Sequence, residues 1–585
     1  MCGIVGHISK DNIESADFVS LVKSLNHRGP DDYGIYETKC DENKVFLGHT
    51  RLSIIDLSKN GHQPMYSQCS RYVIVFNGEV YNFKDIKEDL IEKGYSFFSS
   101  TDTEVILNGF VEYKEKIFSK IKGMFSIAIY DKQENELFLA RDKSGIKPLY
   151  YFHDKNNLIF SSEIKILKKY SNTINKDAKI LFLLFGYIPE PITIYDNIKI
   201  LPSGNYAIYK NGKLIFHEFE RYEFAPKIIK SEQEIIKDIR SLLDNSIKKH
   251  LVSDARVGVF LSGGLDSSVI TALSSKYIDN LTTVSLVFED KNLSEEYYQD
   301  LIVDKYNTNH TKYLVTENIF KETFSTFIDS MDQPTVDGYN TFLVSKVSKE
   351  LGLKVVLSGI GGDEIFYGYS TFHKTNRLKE LFSLYKIFIP FLKKINKFKK
   401  LEFLNFNSQI RYYLASRGLF TPSEVSELID VDLSYIYTLL ENFLYDNYNI
   451  ENFELLSNDD ITANYELNMY MKNQLLRDSD IFSMINSIEL RVPFLDKDLV
   501  DYVLKIDSKF KFNGVNKYLL VKATEDLIPL EITNRDKKGF ELPYKTWFMN
   551  NIDEININPI IKKQFLENKT HWSRVYSLMV LDKFK

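Results

Sequence analysis

Residues 257–270 read VGVFLSGGLDSSVI. A short apolar run ends at Leu261, and Ser262, Gly263, Gly264, Leu265, Asp266 and Ser267 form a loop. Helical spacing then begins, with Val269, Ile270, Leu273 and Tyr277 on one face. Glycines and serines ahead of a helix expose backbone N–H groups and hydroxyls where the helix dipole is positive, which makes an anion cradle. The loop lacks the GK[ST] sequence that grips β- and γ-phosphates. An acid, Asp266, stands near where such a loop would place its cation. Beside a phosphate chain an aspartate is sensible if Mg²⁺ lies between them. Taken alone, it is equally a favourable first-turn residue, contributing up to about 1 kcal/mol.

The loop's neighbours repeat its texture. Residues 354–369, KVVLSGIGGDEIFYGY, place Ser358, Gly359, Ile360, Gly361, Gly362, Asp363 and Glu364 after another buried strand. Asp266 and Asp363 are then a pair of candidate magnesium ligands from two strand ends. Helical spacing over 235–251, the strands LTTVSLVF and LKVVLSG, and helix-length stretches between them predict a doubly wound α/β domain. Its ligand should lie beyond the strand C-termini. From about residue 371 the pattern is mostly helical.

Upstream of a polar linker around APKIIKSEQE the pattern differs. GIVGHIS, VFLGHTRLSII, YVIVFNGEVYN, GMFSIAIYD, ELFLARD and NLIFSSE read as short strands, with helices expected over 15–26 and 102–120. A last hairpin turns at Asn211-Gly212. This predicts an α+β domain of stacked sheets between helical layers. The expected boundaries are 1–215 for the first domain and 235–585 for the second.

The chain opens MCGIVG. Removal of Met1 would leave Cys2 with both a thiol and a free α-amine, a nucleophile with its own base. The alternative is a small residue starting a strand. Three cysteines (Cys2, Cys40, Cys69) form no even framework, so a reducing setting is expected. A net charge of −6 gives no reason to expect a nucleic-acid partner. The start carries no basic and apolar leader, and the nearest approach to a spanning run, LFSLYKIFIPFL, is broken by Lys386 and Pro390. The expected location is cytoplasmic.

SGGLDSS followed by SGxGGDE resembles the ATP-pyrophosphatase domain of the asparagine synthetase family, and MCGIVG resembles its class II glutamine amidotransferase domain. The resemblance runs nearly the whole length through NHRGPDDYG, GHTRLSIIDLS, FNGEVYN, TDTEVIL, GMFSIAIYD, LARDKSGIKPLYY, FSSEIK, LRVPFLD and RDKKGFELP, in that order. It implies that Cys2 attacks the side-chain amide of glutamine and that its α-amine shuttles the proton. Asn77 and Gly78 would form the oxyanion hole, although Asn-Gly between apolar runs is also the strongest hairpin-turn signal. Arg51, Ile54, Glu79 and Asp102 would complete the glutamine site, with Arg51 on the α-carboxylate and Asp102 on the α-amine. The residues Thr101-Asp102-Thr103-Glu104 also resemble a helix capping box.

In the second domain the resemblance implies ATP binding by Leu261, Ser262, Gly263, Gly264, Asp266, Ser267, Val287, Ser358, Gly359 and Lys517, with Mg²⁺ on Asp266 and Asp363. Lys537 would meet transition-state charge. A carboxylate would attack the α-phosphorus of ATP, and ammonia from the first site, carried inside the protein, would displace AMP. Apolar stretches such as RVPFLD are either the wall of that path or plain core.

The acceptor stays open. Well-understood asparagine synthetases read SGEG in the second loop, where this chain has Ile360. Asp337, Asn340, Thr341, Ile360 and Glu364 are the acceptor-site candidates, against ordinary loop and cap roles. L-aspartate leads, a sugar carboxylate such as a uronic acid is the alternative, and a non-catalytic regulatory relative is a distant third. The aromatic and lysine-rich segment 378–400 reads as a surface helical excursion or as a membrane-surface contact. A homodimer is also left open.

Overall fold

The computed structural model describes residues 2–10, 14–40, 43–385, 396–406, 408–450, 453–535, 539 and 541–584. Twelve strands build the first half: β1 Gly3–Ser9, β2 Asp32–Cys40, β3 Asn43–Arg51, β4 Met65–Tyr66, β5 Tyr72–Val80, β6 Gly123–Asp131, β7 Glu136–Arg141, β8 Tyr150–His153, β9 Asn157–Ser161, β10 Ile198–Ile200, β11 Asn205–Lys210 and β12 Lys213–Glu218. They form two antiparallel six-stranded sheets, ordered β10-β8-β9-β1-β3-β2 and β12-β11-β7-β6-β5-β4.

Strand alternation decides which side chains face which layer. Ile4 and Ile8 of β1 meet Val73, Val75, Ala128 and Tyr130 between the sheets. Val5, one residue out of phase, packs outward on Phe18 and Val22 of the helix Ser15–Lys23. Ile74, Phe76, Ile127 and Ile129 face the opposite way, against Val105, Ile106 and Phe110 of the helix Asp102–Tyr113. The result is helix, sheet, sheet, helix, as the α+β reading expects.

The second half holds a five-stranded sheet: β13 Val257–Phe260, β14 Thr282–Phe288, β15 Asn309–Val315, β16 Val355–Leu357 and β17 Glu489–Arg491, ordered β15-β14-β13-β16-β17. Every pairing is parallel, so this is the doubly wound α/β sheet with a mostly helical C-terminal part. The apolar core does not stop between the halves. Leu52, Ile54, Met124 and the helix Lys176–Phe185 share one cluster with Val259, Leu261 and Val355.

Several local expectations need correction. The first helix ends at Lys23, and the helix from Asp102 breaks after Tyr113. Asn77-Gly78 is not a hairpin turn: it lies inside β5, paired with Ser126 and Phe125. Asn211-Gly212 is the turn, with φ of 51° and 74°, the left-handed pair that a two-residue hairpin requires. Residues around LRVPFLD begin with the edge strand β17 and are core: Leu490, Val492, Phe494 and Leu495 belong to the shared apolar cluster. Of the lysine-rich segment, 386–395 lie outside the described residues, as does Lys537. Among the described residues no helix is long and apolar enough to cross a membrane.

Candidate active sites

Cys2 precedes β1 and is buried at 8% exposure. Its backbone N–H donates to Asn77 Oδ1 at 2.9 Å, and its carbonyl accepts from Arg28 Nε at 3.1 Å. Burial pushes the Cys2 thiol up, only partly offset by the chain's N-terminal ammonium, the Leu52 backbone and Arg51. Among the described residues, Asn77 Nδ2 is buried with no hydrogen-bond partner. An unmet donor in a buried site is costly unless a ligand oxygen completes it. Gly78 has φ of 155°, and a Cβ there would collide with the Met124 carbonyl oxygen. The backbone at this point admits only glycine.

A cavity of about 40 Å³ opens beside Cys2. Arg51, Ile54, Gly78, Glu79 and Asp102 line it, as the resemblance implies. Arg51 is held by backbone carbonyls: Nη1 donates to Ser58 at 2.7 Å and Nη2 to Ile55 and Asp56. Gly61 is where the guanidinium packs, since a Cβ there would overlap it. Thr101, rather than Asp102, caps the helix, accepting from the Glu104 N–H, while Glu104 turns to the Phe98 and Ser99 N–H groups. Asp102 is thereby released to accept from Val80 N–H at 2.9 Å. Its pKa is pushed up to about 6, chiefly by burial, with Val80 N–H opposing and the nearby Glu489 charge adding to it.

Gln63, Thr103 and Glu489 also line this cavity, and the sequence reading placed none of them in the glutamine site. Glu489 comes from the second half of the chain. Burial would raise its carboxyl, but the N-terminal ammonium and Arg491 outweigh burial and hold it at about 2.

The other site is a cavity of about 1350 Å³ at the C-terminal ends of β13, β14 and β16. Leu261, Ser262, Gly264, Asp266, Ser267, Ser358, Gly359 and Lys517 line it. Gly263 and Val287 do not. Gly263, at φ 81°, makes the turn against Tyr298 and Glu295, and Ser285 and Leu286 of β14 reach the cavity where Val287 was expected. Asp266 and Asp363 face one another across the Lys517 ammonium, at 2.5 and 2.6 Å. Burial alone would lower the Lys517 pKa, but the two carboxylates outweigh it and raise it. Gly362 and Gly368 are packed on the same carboxylates, where a Cβ would collide. The glycines in the second loop leave room for exactly this cluster.

Asp337, Asn340, Thr341, Ile360 and Glu364 all line the same cavity. Glu364 accepts from the Tyr369 hydroxyl at 2.7 Å. Burial, then the Asp363 charge, push its pKa up to about 7. Asp337 accepts from Gly338 N–H at 2.7 Å, and burial raises it. Arg417, whose guanidinium lies over the Tyr470 and Tyr369 rings at 4.0 and 4.5 Å, and Asp478 join this wall. Tyr470 and Gln474 come from a wide-turn helical stretch, Glu466–Leu476, a form common at functional sites. Apolar periodicity cannot reveal such a stretch.

Residues 1–222 match the glutamine amidotransferase domain family, and residues 238–570 match the asparagine synthase family. The chain is 32% identical to asparagine synthetase [glutamine-hydrolyzing] 1 of Bacillus subtilis (strain 168), over 96% of this chain and 90% of that protein. It is 30% identical to asparagine synthetase B [glutamine-hydrolyzing] of Escherichia coli (strain K12), over 65% of this chain and 67% of that one. Among solved structures, an allosteric regulatory enzyme of purine biosynthesis aligns with 55% of this chain and 91% of its own, at a TM-score of 0.30 and 14% identity.

Proposed function

The chain belongs to the glutamine-hydrolysing asparagine synthetase family, and from that premise we propose that it splits glutamine at Cys2 and spends ATP to amidate a carboxylate, with L-aspartate as the leading acceptor. The products would be asparagine, AMP, pyrophosphate and glutamate. One observation carries the reading: a buried cysteine beside the unmet Asn77 amide donor shares a chain with two phosphate-type loops meeting at Asp266, Lys517 and Asp363.

At the first site, Arg51 would take the glutamine α-carboxylate as a fork on a planar acceptor. Glu79 and Asp102 would take the α-ammonium. With Met1 removed, the Cys2 amine accepts the thiol proton as sulfur attacks the amide carbon. The oxyanion is received by Asn77 Nδ2 and Gly78 N–H. The proton passes to the departing nitrogen, ammonia leaves, and water cleaves the thioester to glutamate.

At the second site, an acceptor carboxylate oxygen attacks the α-phosphorus and pyrophosphate departs. Ammonia then attacks the acyl carbon, AMP leaves, and Glu364, poised near neutrality, takes the surplus proton. Among the described residues no cluster of three or more ligand side chains is arranged for a metal. Two hard carboxylates already bracketing a cation nonetheless fit Mg²⁺, a cation that prefers oxygen ligands. Asp266 and Asp363 would hold it, and it would offset the charge on the departing pyrophosphate.

Ile360 favours one second reading. An isoleucine in the acceptor wall can neither accept a proton nor hold an ammonium, which suits a carboxylate without an amino group, such as a uronic acid. Incubation with ATP, Mg²⁺ and glutamine against a panel of carboxylates, scored by pyrophosphate, separates the readings. Aspartate should give pyrophosphate and asparagine one for one. Turnover of a sugar acid without aspartate turnover selects the second reading, and neither pyrophosphate nor glutamate would leave only a binding protein.

A further inference from the structure

Arg491 is fully buried, and its guanidinium makes four hydrogen bonds. Nη1 donates to the His250 and Val252 carbonyls, both at 2.7 Å. Nε donates to Glu489 at 2.6 Å, and Nη2 reaches back to Glu79 of β5 at 2.8 Å. Glu79 and Glu489 both line the glutamine pocket, so a residue of the synthetase half holds part of the other half's site.

We propose that Arg491 is a positioning residue for glutamine: it keeps Glu79 an oriented carboxylate, so that Glu79 and Asp102 together receive the substrate's α-ammonium. This rests on the glutaminase reading of that pocket.

The charges around Glu79 explain the need. Asp102 faces it from the helix Asp102–Tyr113 and Glu489 from β17, while the chain's N-terminal ammonium offsets part of their charge. Tyr81 directly follows β5, and the His250 ring lies tilted against it with centroids 3.9 Å apart. Burial holds His250 neutral, at about 3. Burial also pushes Glu79 well up, Arg491 opposes that most strongly, and Asp102 and Glu489 add to it. Three carboxylates sharing a dry pocket cannot all stay ionised without a fixed counter-charge. Lysine could supply the charge but not the fork that ties two carboxylates and two carbonyls at once.

Arg491 also has a backbone role, which dictates the control. Its carbonyl accepts from Ser358 N–H at 2.9 Å, at the start of the second phosphate loop. A variant that merely loosens β17 would therefore damage ATP chemistry as well.

The test uses the full chain. Arg491→Gln should raise KM for glutamine roughly thirtyfold or more while kcat and ammonia-dependent pyrophosphate release change less than about threefold. Arg491→Lys should recover part of the loss. In both, the fall of kcat/KM for glutamine on acidification should begin at higher pH than in the parent, because Glu79 and Asp102 take up protons more readily. Unchanged KM and an unchanged pH profile in folded Arg491→Gln would overturn the inference. So would equal losses of glutamine- and ammonia-dependent turnover. If Arg491→Gln does not fold, the pH profile of Arg491→Lys decides alone. Calorimetry of glutamine binding in a Cys2→Ala background separates the two levels. No binding in that background defeats the glutaminase reading itself, whereas binding undiminished by Arg491→Gln defeats only this proposal.

Discussion

The glutamine pocket and the synthetase cavity handle charge in opposite ways. The first, at about 40 Å³, is small, and its charged groups are already tied down. Arg51 is gripped by carbonyls, Asp102 by Val80 N–H, and Glu79 by Arg491. The second, at about 1350 Å³, holds an inward-facing triplet in which Lys517 occupies the space between Asp266 and Asp363. A pocket built for one small zwitterion can be finished in advance. On the proposed reading the cavity takes a triphosphate, a cation and an acceptor, and would have to exchange its internal ion pairs for ligand ones, with Lys517 giving up one or both carboxylates. On the proposed reading, the difference teaches that specificity for glutamine is preformed, while activation of the acceptor is assembled by the ligands.

The largest test of that separation is Cys2→Ala. Glutamine-dependent amidation should fall by on the order of 10⁴-fold or more, as for loss of a nucleophile, with ammonia-dependent product formation retained. Loss of both in a folded variant, read by product chromatography, would break the separation.

Asp266→Asn comes next. Removing a hard anionic donor from a phosphate site should cost several kcal/mol of transition-state stabilisation, roughly 10²- to 10³-fold in pyrophosphate release. Glutamine hydrolysis should continue, and magnesium titration should demand a higher concentration. Near-normal release would leave Asp266 a first-turn helix residue.

A preformed glutamine pocket also predicts a pH dependence. The Asp102 carboxyl sits at about 6 in the empty site. Below that value it gains a proton and loses the charge that receives the α-ammonium. Consequently kcat/KM for glutamine should fall about tenfold per pH unit below 6. Above pH 7 it should be flat with respect to this group. A profile that stays level down to pH 5 would show that Asp102 does not carry the substrate amine.

The smallest expected effect sharpens the other side. Ile360→Glu should leave aspartate turnover within about threefold, because Asp337, Asn340, Thr341 and Glu364 still shape that wall, and general-base help of about 10²–10⁴ is gained only where a base was missing. A rise of tenfold or more would make Ile360 the specificity determinant and favour a different natural acceptor.

How much of this was legible depends on distance along the chain. The phosphate cradle and its acid lie within six consecutive residues, so SGGLDS could be read directly. Asn77-Gly78 misled because the dipeptide has two uses. At 211–212 both residues adopt left-handed φ and reverse the chain, whereas at 77–78 the strand continues because β6 lies alongside. Val287 was misplaced along the strand rather than across it: Val284, Ser285 and Leu286 of β14 line the cavity in succession, and Val287 lies beyond its edge. Arg491 had a faint signal: Glu489 and Arg491, two residues apart in an apolar run, must share one face of a strand, and buried charges on one face call for a partner.

From the sequence alone came the two fold types, the nucleophile beside its glycine, and the paired acidic loops. Each is a local arrangement whose chemistry needs contiguous N–H groups, a tight turn or a chain end, so order along the chain carries it. Only the tertiary structure decided that Lys517 stands between two aspartates and that Glu79 depends on a guanidinium 412 positions away. Charge compensation in a buried site is set by which elements the core brings within a few ångströms, and no spacing in the sequence encodes that.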